Sequence, residues 1–264
     1  MNARIDVPAG GAWFEGHFPG RPILPGVAEL ALTLEALANG MDQPRGLQGI
    51  AFARLRQLVL PGEQLELSAR EDDRSHVRFD LKRAGDLVAN GELVLGPPLK
   101  AQDTATDIAR VATDADLPAV ERLLPHCPPM RFLSAILQQT ADGLAASASV
   151  PGACALVSDG SAPALVTIEA AAQAAAAWEA LRRWRDDGAA AARIGYLVAI
   201  REVSFFIERV PADRSFVVSV RLEALSLPLS RYRFDAWLED RPVARGAIAT
   251  FLDTRAEPDA AAGC

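Results

Sequence analysis

The chain has 264 residues, half of them hydrophobic, which suffices for one large domain or two small ones with a sizeable core. A formal net charge of −7 argues against nucleic acid as the main partner. No apolar run reaches the roughly eighteen residues of a membrane helix, and the N-terminus lacks an apolar signal core, so the chain reads as soluble and cytoplasmic, with no membrane partner.

Residues 3–15 are expected to form one strand. They lead into a turn dense in glycine and proline, with Gly16, Pro19, Gly20, Pro22, Pro25 and Gly26 surrounding His17. Backbone of that composition holds a side chain in a fixed turn rather than in a helix or strand. Beyond Gly26, the apolar residues Val27, Leu30, Ala31, Leu34, Leu37 and Ala38 recur at helical spacing and predict a helix that stops at Asn39-Gly40. The first amides of that helix lack intrahelical acceptors. They offer a carbonyl- or anion-binding end close to a titratable imidazole.

Residues 47–95 read as four strands, 49–60, 65–69, 76–81 and 87–95, separated by Pro61-Gly62, a charged turn at 71–74, and Ala84-Gly85-Asp86. A strand, a long helix and an antiparallel run of strands predict an α+β layer with the helix lying across the sheet. Residues 97–117, with Pro97, Pro98 and a polar, alanine-rich remainder, read as a linker, and the tail 254–264 as disordered.

The second half repeats the plan. Arg78-Phe79-Asp80 recurs as Arg233-Phe234-Asp235, and Val88-Ala89-Asn90-Gly91 recurs as Val243-Ala244-Arg245-Gly246; both offsets are 155, from 233 − 78 and 243 − 88. Pro61 has a looser counterpart in Pro211. A shared offset with the same order of elements marks a tandem repeat. Its copies are residues 1–96 and 118–253, and pairing them covers edges that each alone would expose. One strand is expected within 133–150, then a helix through Val166-Thr167-Ile168-Glu169-Ala170-Ala171-Ala172-Gln173, where Glu169 and Gln173 share a face at i and i+4.

The twelve residues Gly16-His17-Phe18-Pro19-Gly20-Arg21-Pro22-Ile23-Leu24-Pro25-Gly26-Val27 resemble the active-site motif of hotdog-fold 3-hydroxyacyl-acyl carrier protein dehydratases. The segment Glu169–Gln173 resembles the same family's helix motif. The resemblance implies a double hotdog, two antiparallel sheets each wrapped around a central helix and paired as a pseudo-dimer. It makes His17 the base, Glu169 the acid and the Gly26 amide an oxyanion donor, with the Ile23 carbonyl fixing the imidazole and Gln173 following the acid. The family's acid lies fourteen positions after its His, and here that position is Ala31; the position fourteen before Glu169 is Ala155. The losses are reciprocal. One composite site, His17 with Glu169, is therefore expected, and the other pseudo-site should be inert. A narrower resemblance is to the paired dehydratase and dehydratase-like proteins of aryl polyene pathways, joined in one chain.

That reading implies dehydration of 3-hydroxyacyl thioesters to trans-2-enoyl products, with an acyl carrier protein as partner and no cofactor. No metal or nucleotide motif appears. Self-association and ketosynthase contacts stay open, as do two rival functions, a hotdog thioesterase and a non-catalytic partner stabilising another dehydratase. Leu123-Leu124-Pro125-His126-Cys127-Pro128-Pro129-Met130 resembles the segment opening many of these dehydratases, whose His is not their base, so His126 reads as structural. Glu35 reads as a remnant beside the inert site, His76 as exposed, and Asp80 and Asp235 as strand-pairing residues. Arg54, Arg56, Arg182, Arg183 and Arg185 are candidates for a basic rim facing an acidic carrier, or ordinary solvated positions. Cys127, Cys154 and Cys264 form no metal or redox spacing and read as buried or incidental thiols.

Overall fold

The computed structural model describes residues 1–41, 43–72, 75–99, 117–187 and 193–253. The first half holds β1 (Asn2–Asp6), α1 (Gly26–Ala38), β2 (Gly46–Leu55), β3 (Gln64–Glu71), β4 (His76–Arg83) and β5 (Asp86–Gly96). The second holds β6 (Leu133–Gln139), β7 (Gly143–Ala148), β8 (Ser161–Pro163), α2 (Val166–Asp187), β9 (Gly195–Phe205), β10 (Arg209–Pro211), β11 (Phe216–Ser226), β12 (Leu229–Leu238) and β13 (Arg241–Leu252). Most of the expected linker and all of the expected tail lie outside the described residues.

The fold is a double hotdog whose two sheets join into one antiparallel sheet of order β1-β3-β4-β5-β2-β9-β13-β12-β11-β7-β6. The join is the β2–β9 pair, with Ile50 opposite Val203 and Arg54 opposite Ala199. Reading outward from it, β5, β4 and β3 on one side match β13, β12 and β11 on the other. Pairing the two inner edges leaves neither open to a foreign strand.

The sequence repeat has a physical basis in this geometry. Phe79 pairs with Gly91 across β4 and β5, and Phe234 pairs with Gly246 across β12 and β13. A Cβ at Gly91 would stand 2.6 Å from the Phe52 carbonyl oxygen, and one at Gly246 would stand 2.8 Å from the Val203 Cα. Glycine recurs because the next strand, β2 or β9, bulges close to the backbone there. Asp235 pairs with Arg245 at 3.3 Å, as befits a strand-pairing role.

Three expectations are corrected. The first strand ends at Asp6, and glycine-containing turns carry the chain onward to His17. Residues 133–150 form two strands rather than one, reversing where the Thr140 hydroxyl bonds Asp142 and Gly143 lies against the Val220 carbonyl. His76 is half-buried, its Nδ1 2.6 Å from Glu92 Oε1. In addition, Cys154 is a buried free thiol, whereas Cys127 is disulfide-bonded, which revises the thiol reading there.

Two α-helices among the described residues pack against the sheet. α2 packs on β6, β7, β11, β12 and β13, α1 packs on β1 and β3, and the helices touch each other. Ala170, Ala171, Ala174, Ala175 and Ala177 of α2 are fully buried. Alanine favours the helix and lets the sheet approach it closely. No described helix is long and apolar enough to cross a membrane.

Candidate active site

His17 sits in a turn whose backbone is left-handed at Gly16, Phe18 and Gly20 (φ 76°, 59° and 81°). The turn is tied down by the Arg21 amide on the Phe18 carbonyl (2.9 Å) and the Leu24 amide on the Val59 carbonyl (2.8 Å). The His17 ring is 7% exposed, and its Nδ1 lies 2.8 Å from the Ile23 carbonyl oxygen. A carbonyl only accepts, so Nδ1 carries the proton and Nε2 keeps its lone pair. Burial lowers His17 from its ordinary 6.5 to about 4, opposed by the Ile23 hydrogen bond. The imidazole is thus a neutral base at neutral pH.

The second half meets this turn through Gly16. A Cβ there would overlap the Cys127 carbonyl, and the Cys127 amide donates to the Gly16 carbonyl at 2.8 Å. Only glycine permits that approach together with positive φ. It carries His126 to the site, its ring 5.4 Å from His17 and 5.0 Å from Phe18, with Nε2 3.4 Å from Glu169 Oε1. The structural role expected of His126 is therefore incomplete, because its ring stands beside both other groups. Burial, then the neighbouring His17, lowers His126 well below 6.5.

Glu169 lies in the first turn of α2, 3% exposed. Gln173, one turn on and fully buried, gives Nε2 to Glu169 Oε1 (3.0 Å) and to the Met130 carbonyl (2.7 Å), and its Oε1 accepts the Phe132 amide (2.9 Å). Burial raises Glu169 from 4.5 to about 7, against the Gln173 hydrogen bond. Although His126 and Glu169 are close enough for an ion pair, burial favours the neutral form of both. One donor atom each of His17, His126 and Glu169 lies within 4.8 Å of the others, a donor set that could also hold a divalent cation. The sequence spacing gave no sign of this set because the three come from distant segments.

The groups open on a cavity of about 330 Å³. The α2 residues Glu169, Ala172, Ala176, Glu179 and Arg183 form a stripe along it, about 21 Å at 1.5 Å per residue. Gly26 begins α1 on the opposite wall, where a Cβ would overlap the Leu55 side chain. Its amide lies ahead of the helix's internal bonding, which starts with the Ala28 and Glu29 amides on the Pro25 carbonyl. Of the expected basic residues, Arg56 and Arg183 line the cavity, joined by Arg193. A second recess of about 310 Å³ is lined by Leu34, Glu35 and Ala38 of α1 and by Ala164 and Leu165 ahead of α2. It is the pseudo-symmetric counterpart and has no histidine among its described lining residues.

Sequence reasoning missed three buried titratable residues of the cavity wall, His126, Glu29 and Glu179. His126 had a signal, since a histidine flanked by Pro125 and Pro128 is as constrained as His17. Glu29, on α1, had none, because a glutamate in a first helical turn is ordinarily a solvated one.

The family model of ApeP-like proteins, described as ApeP dehydratase, matches residues 118–261. That of ApeI-like proteins, described as ApeI dehydratase, matches residues 1–92. A 3-hydroxyacyl-(acyl-carrier-protein) dehydratase FabZ of Legionella pneumophila is 44% identical over 68 residues, covering 22% of this chain and 45% of the relative. The chain thus spans less than half the length of that curated relative. Similar solved structures include a trans-AT polyketide synthase dehydratase domain from Brevibacillus brevis (TM-score 0.68, 14% identity, 96% of this chain and 93% of that one). The dehydratase domain of RzxB from Pseudomonas fluorescens is another (TM-score 0.67, 14% identity, 94% and 93%).

Proposed function

The chain belongs to the ApeP-like dehydratase family, and from that premise we propose that it eliminates water from 3-hydroxyacyl thioesters on an acyl carrier protein, at one composite site. The observation that carries this reading is the meeting of His17 from one half with Glu169 from the other, in opposite states of readiness for proton transfer.

His17 Nε2 takes a proton from C2, and the thioester oxygen, gaining charge, is turned toward the Gly26 amide. Glu169 gives its proton to the 3-hydroxyl, the C3–O bond breaks, C2 and C3 become a trans double bond, and water leaves. The protons then balance when the one on His17 returns to Glu169. Burial suits the two groups to opposite duties, an unprotonated imidazole and a carboxyl that keeps its proton near neutrality. His126, against both, shields the exchange from bulk water. This chemistry calls on no cofactor. We take residues 1–96 and 118–253 as the two hotdog repeats, with 97–117 as linker and 254–264 as tail, and an aryl polyene or fatty acid pathway as the setting.

The carrier's phosphopantetheine phosphate would meet Arg56 and Arg193 at the exposed part of the cavity lining, with the half-buried Arg183 beside them. Arg183 is held below the usual guanidinium range by burial and by the charges of Arg193 and Arg182, opposed by Glu179 at 3.9 Å, which leaves three guanidinium groups to one carboxylate there.

Intact mass of a 3-hydroxyacyl carrier protein after incubation with the chain tests the reading. Loss of one water is the expected result. Loss of the acyl group would indicate a thioesterase. Unchanged mass with tight binding to a second dehydratase would indicate a stabilising partner, the role that Ala31 in the first repeat would suit.

A further inference from the structure

The mechanism leaves two buried acidic groups of the cavity unused, Glu179, which the Tyr232 hydroxyl pairs, and Glu29. Glu29 is 3% exposed, lines the same cavity as His17 and Glu169, and its Oε2 has no hydrogen-bond partner. The other buried carboxylates are satisfied, Glu169 by Gln173 and Glu179 by the Tyr232 hydroxyl. Burial, reinforced by the charge of Glu63, raises the Glu29 carboxyl well above its ordinary value and so favours the neutral form, which can both donate and accept.

Its counterpart in the other repeat shows what a self-sufficient residue looks like there. The offset that places Glu169 over Ala31, 169 − 31 = 138, places Thr167 over Glu29, since 167 − 29 is also 138. Thr167 is fully buried and bonds the Ala164 carbonyl at 2.7 Å within its own chain segment. Glu29 has no such internal answer for Oε2. A buried polar atom left unpaired is costly, and it is retained where a ligand supplies the partner.

Position says which part of the ligand does so. Glu29 is three residues beyond Gly26 and therefore on the same helix face, one turn further from the expected thioester oxygen. The buried lining beside it from the same half, Ile23 and Leu24, is apolar. A pantetheine arm tethered to a carrier outside must run along the exposed lining, Arg56, Arg193 and Phe251, leaving the buried lining to the acyl chain.

We propose that Glu29 is a specificity residue that selects 3-hydroxyacyl chains carrying a second oxygen, a hydroxyl or keto group further along the chain, over plain alkyl chains. The inference rests on the dehydratase reading above, and it is tested by binding rather than turnover so that the two fail separately. An alkyl chain leaves the Oε2 closed off and unpaired, whereas a chain with an oxygen at the right carbon pairs it once the carboxyl turns toward the cavity that Glu29 lines. Sites built to hydrogen-bond a substrate group discriminate strongly against the analogue that lacks it.

The test uses the full chain and unreactive 3-hydroxyacyl-pantetheine amides of one length, either unsubstituted or with a second hydroxyl at successive carbons. Calorimetric affinities are compared for the parent, Glu29→Gln and Glu29→Leu. The parent is expected to favour one hydroxylated isomer by about tenfold or more. Glu29→Gln, which still donates and accepts, keeps most of that preference, and Glu29→Leu reverses it in favour of the alkyl chain. Equal affinity for all isomers in the parent would overturn the proposal. So would loss of affinity for every ligand alike in Glu29→Leu, which would place the carboxyl on the shared pantetheine arm. Thermal melts of the three proteins confirm that each is folded during the comparison.

Discussion

Replacing His17 or Glu169 should change how stability depends on pH, in opposite directions. Burial lowers His17 from 6.5 to about 4. Between those values the unfolded chain binds more protons at His17 than the folded one, so its contribution rises with pH by about 3 kcal/mol, at about 1.4 kcal/mol per pH unit. Burial raises Glu169 from 4.5 to about 7. There the folded chain binds more protons, and its contribution falls with rising pH by about the same 3 kcal/mol. His126, lowered, adds to the first slope, and Glu29, raised, adds to the second. The parent should therefore show a shallow dependence between about pH 4.5 and 6.5, where the contributions oppose. Urea unfolding at half-unit steps across that range reads the slope, which is insensitive to any constant stability offset from the substitution. His17→Gln should lose stability with rising pH relative to the parent, by up to about 3 kcal/mol, and Glu169→Gln should gain it. Parallel curves for all three proteins would refute the placement of these groups as buried and oppositely perturbed.

Gly16→Ala places a methyl on the Cys127 carbonyl at positive φ, and should cost about 2–4 kcal/mol in urea unfolding, with weakened dehydration because it separates His17 from His126. Gln173→Leu leaves the Met130 carbonyl and the Phe132 amide without their partner. It should cost about 2–5 kcal/mol, and should move the alkaline limb of the kcat/KM profile to higher pH, because the bond it removes favours ionised Glu169. Arg183→Ala combined with Arg193→Ala should raise KM for the carrier-bound substrate and flatten its salt dependence while sparing kcat on a free pantetheine thioester.

What was legible in the sequence was local. Alternation in 65–69 and 76–81 fell within β3 and β4, and Asn39-Gly40 fell at the end of α1, because side-chain period and chain-stopping residues act over a few positions. The repeat was legible because Phe79 and Phe234 face glycines imposed by a neighbouring bulge. The hairpin at Thr140–Gly143 was not, since its alanine-rich flanks alternate weakly. His17, Ile23, Gly26, Glu169 and Gln173 were singled out through their motifs, and the structure brings all of them to the cavity or its support. His126 and Glu29 could not be placed that way. The contact that carries His126 to His17 joins Gly16 to Cys127, residues 111 apart by 127 − 16. The burial of Glu29 depends on how β1, β3 and α2 pack against α1, none of which is written in the helix itself.

The central claim is that His17 and Glu169 act as one unit across the two halves, and single-turnover dehydration of a 3-hydroxyacyl carrier protein tests it most directly. The rates to compare are those of the parent, His17→Ala, Glu169→Gln and the double variant. Groups acting as a unit predict that each single substitution lowers the rate by about a hundredfold or more and that the double variant is no slower than the worse single one. Parental turnover by either single variant would contradict the composite site.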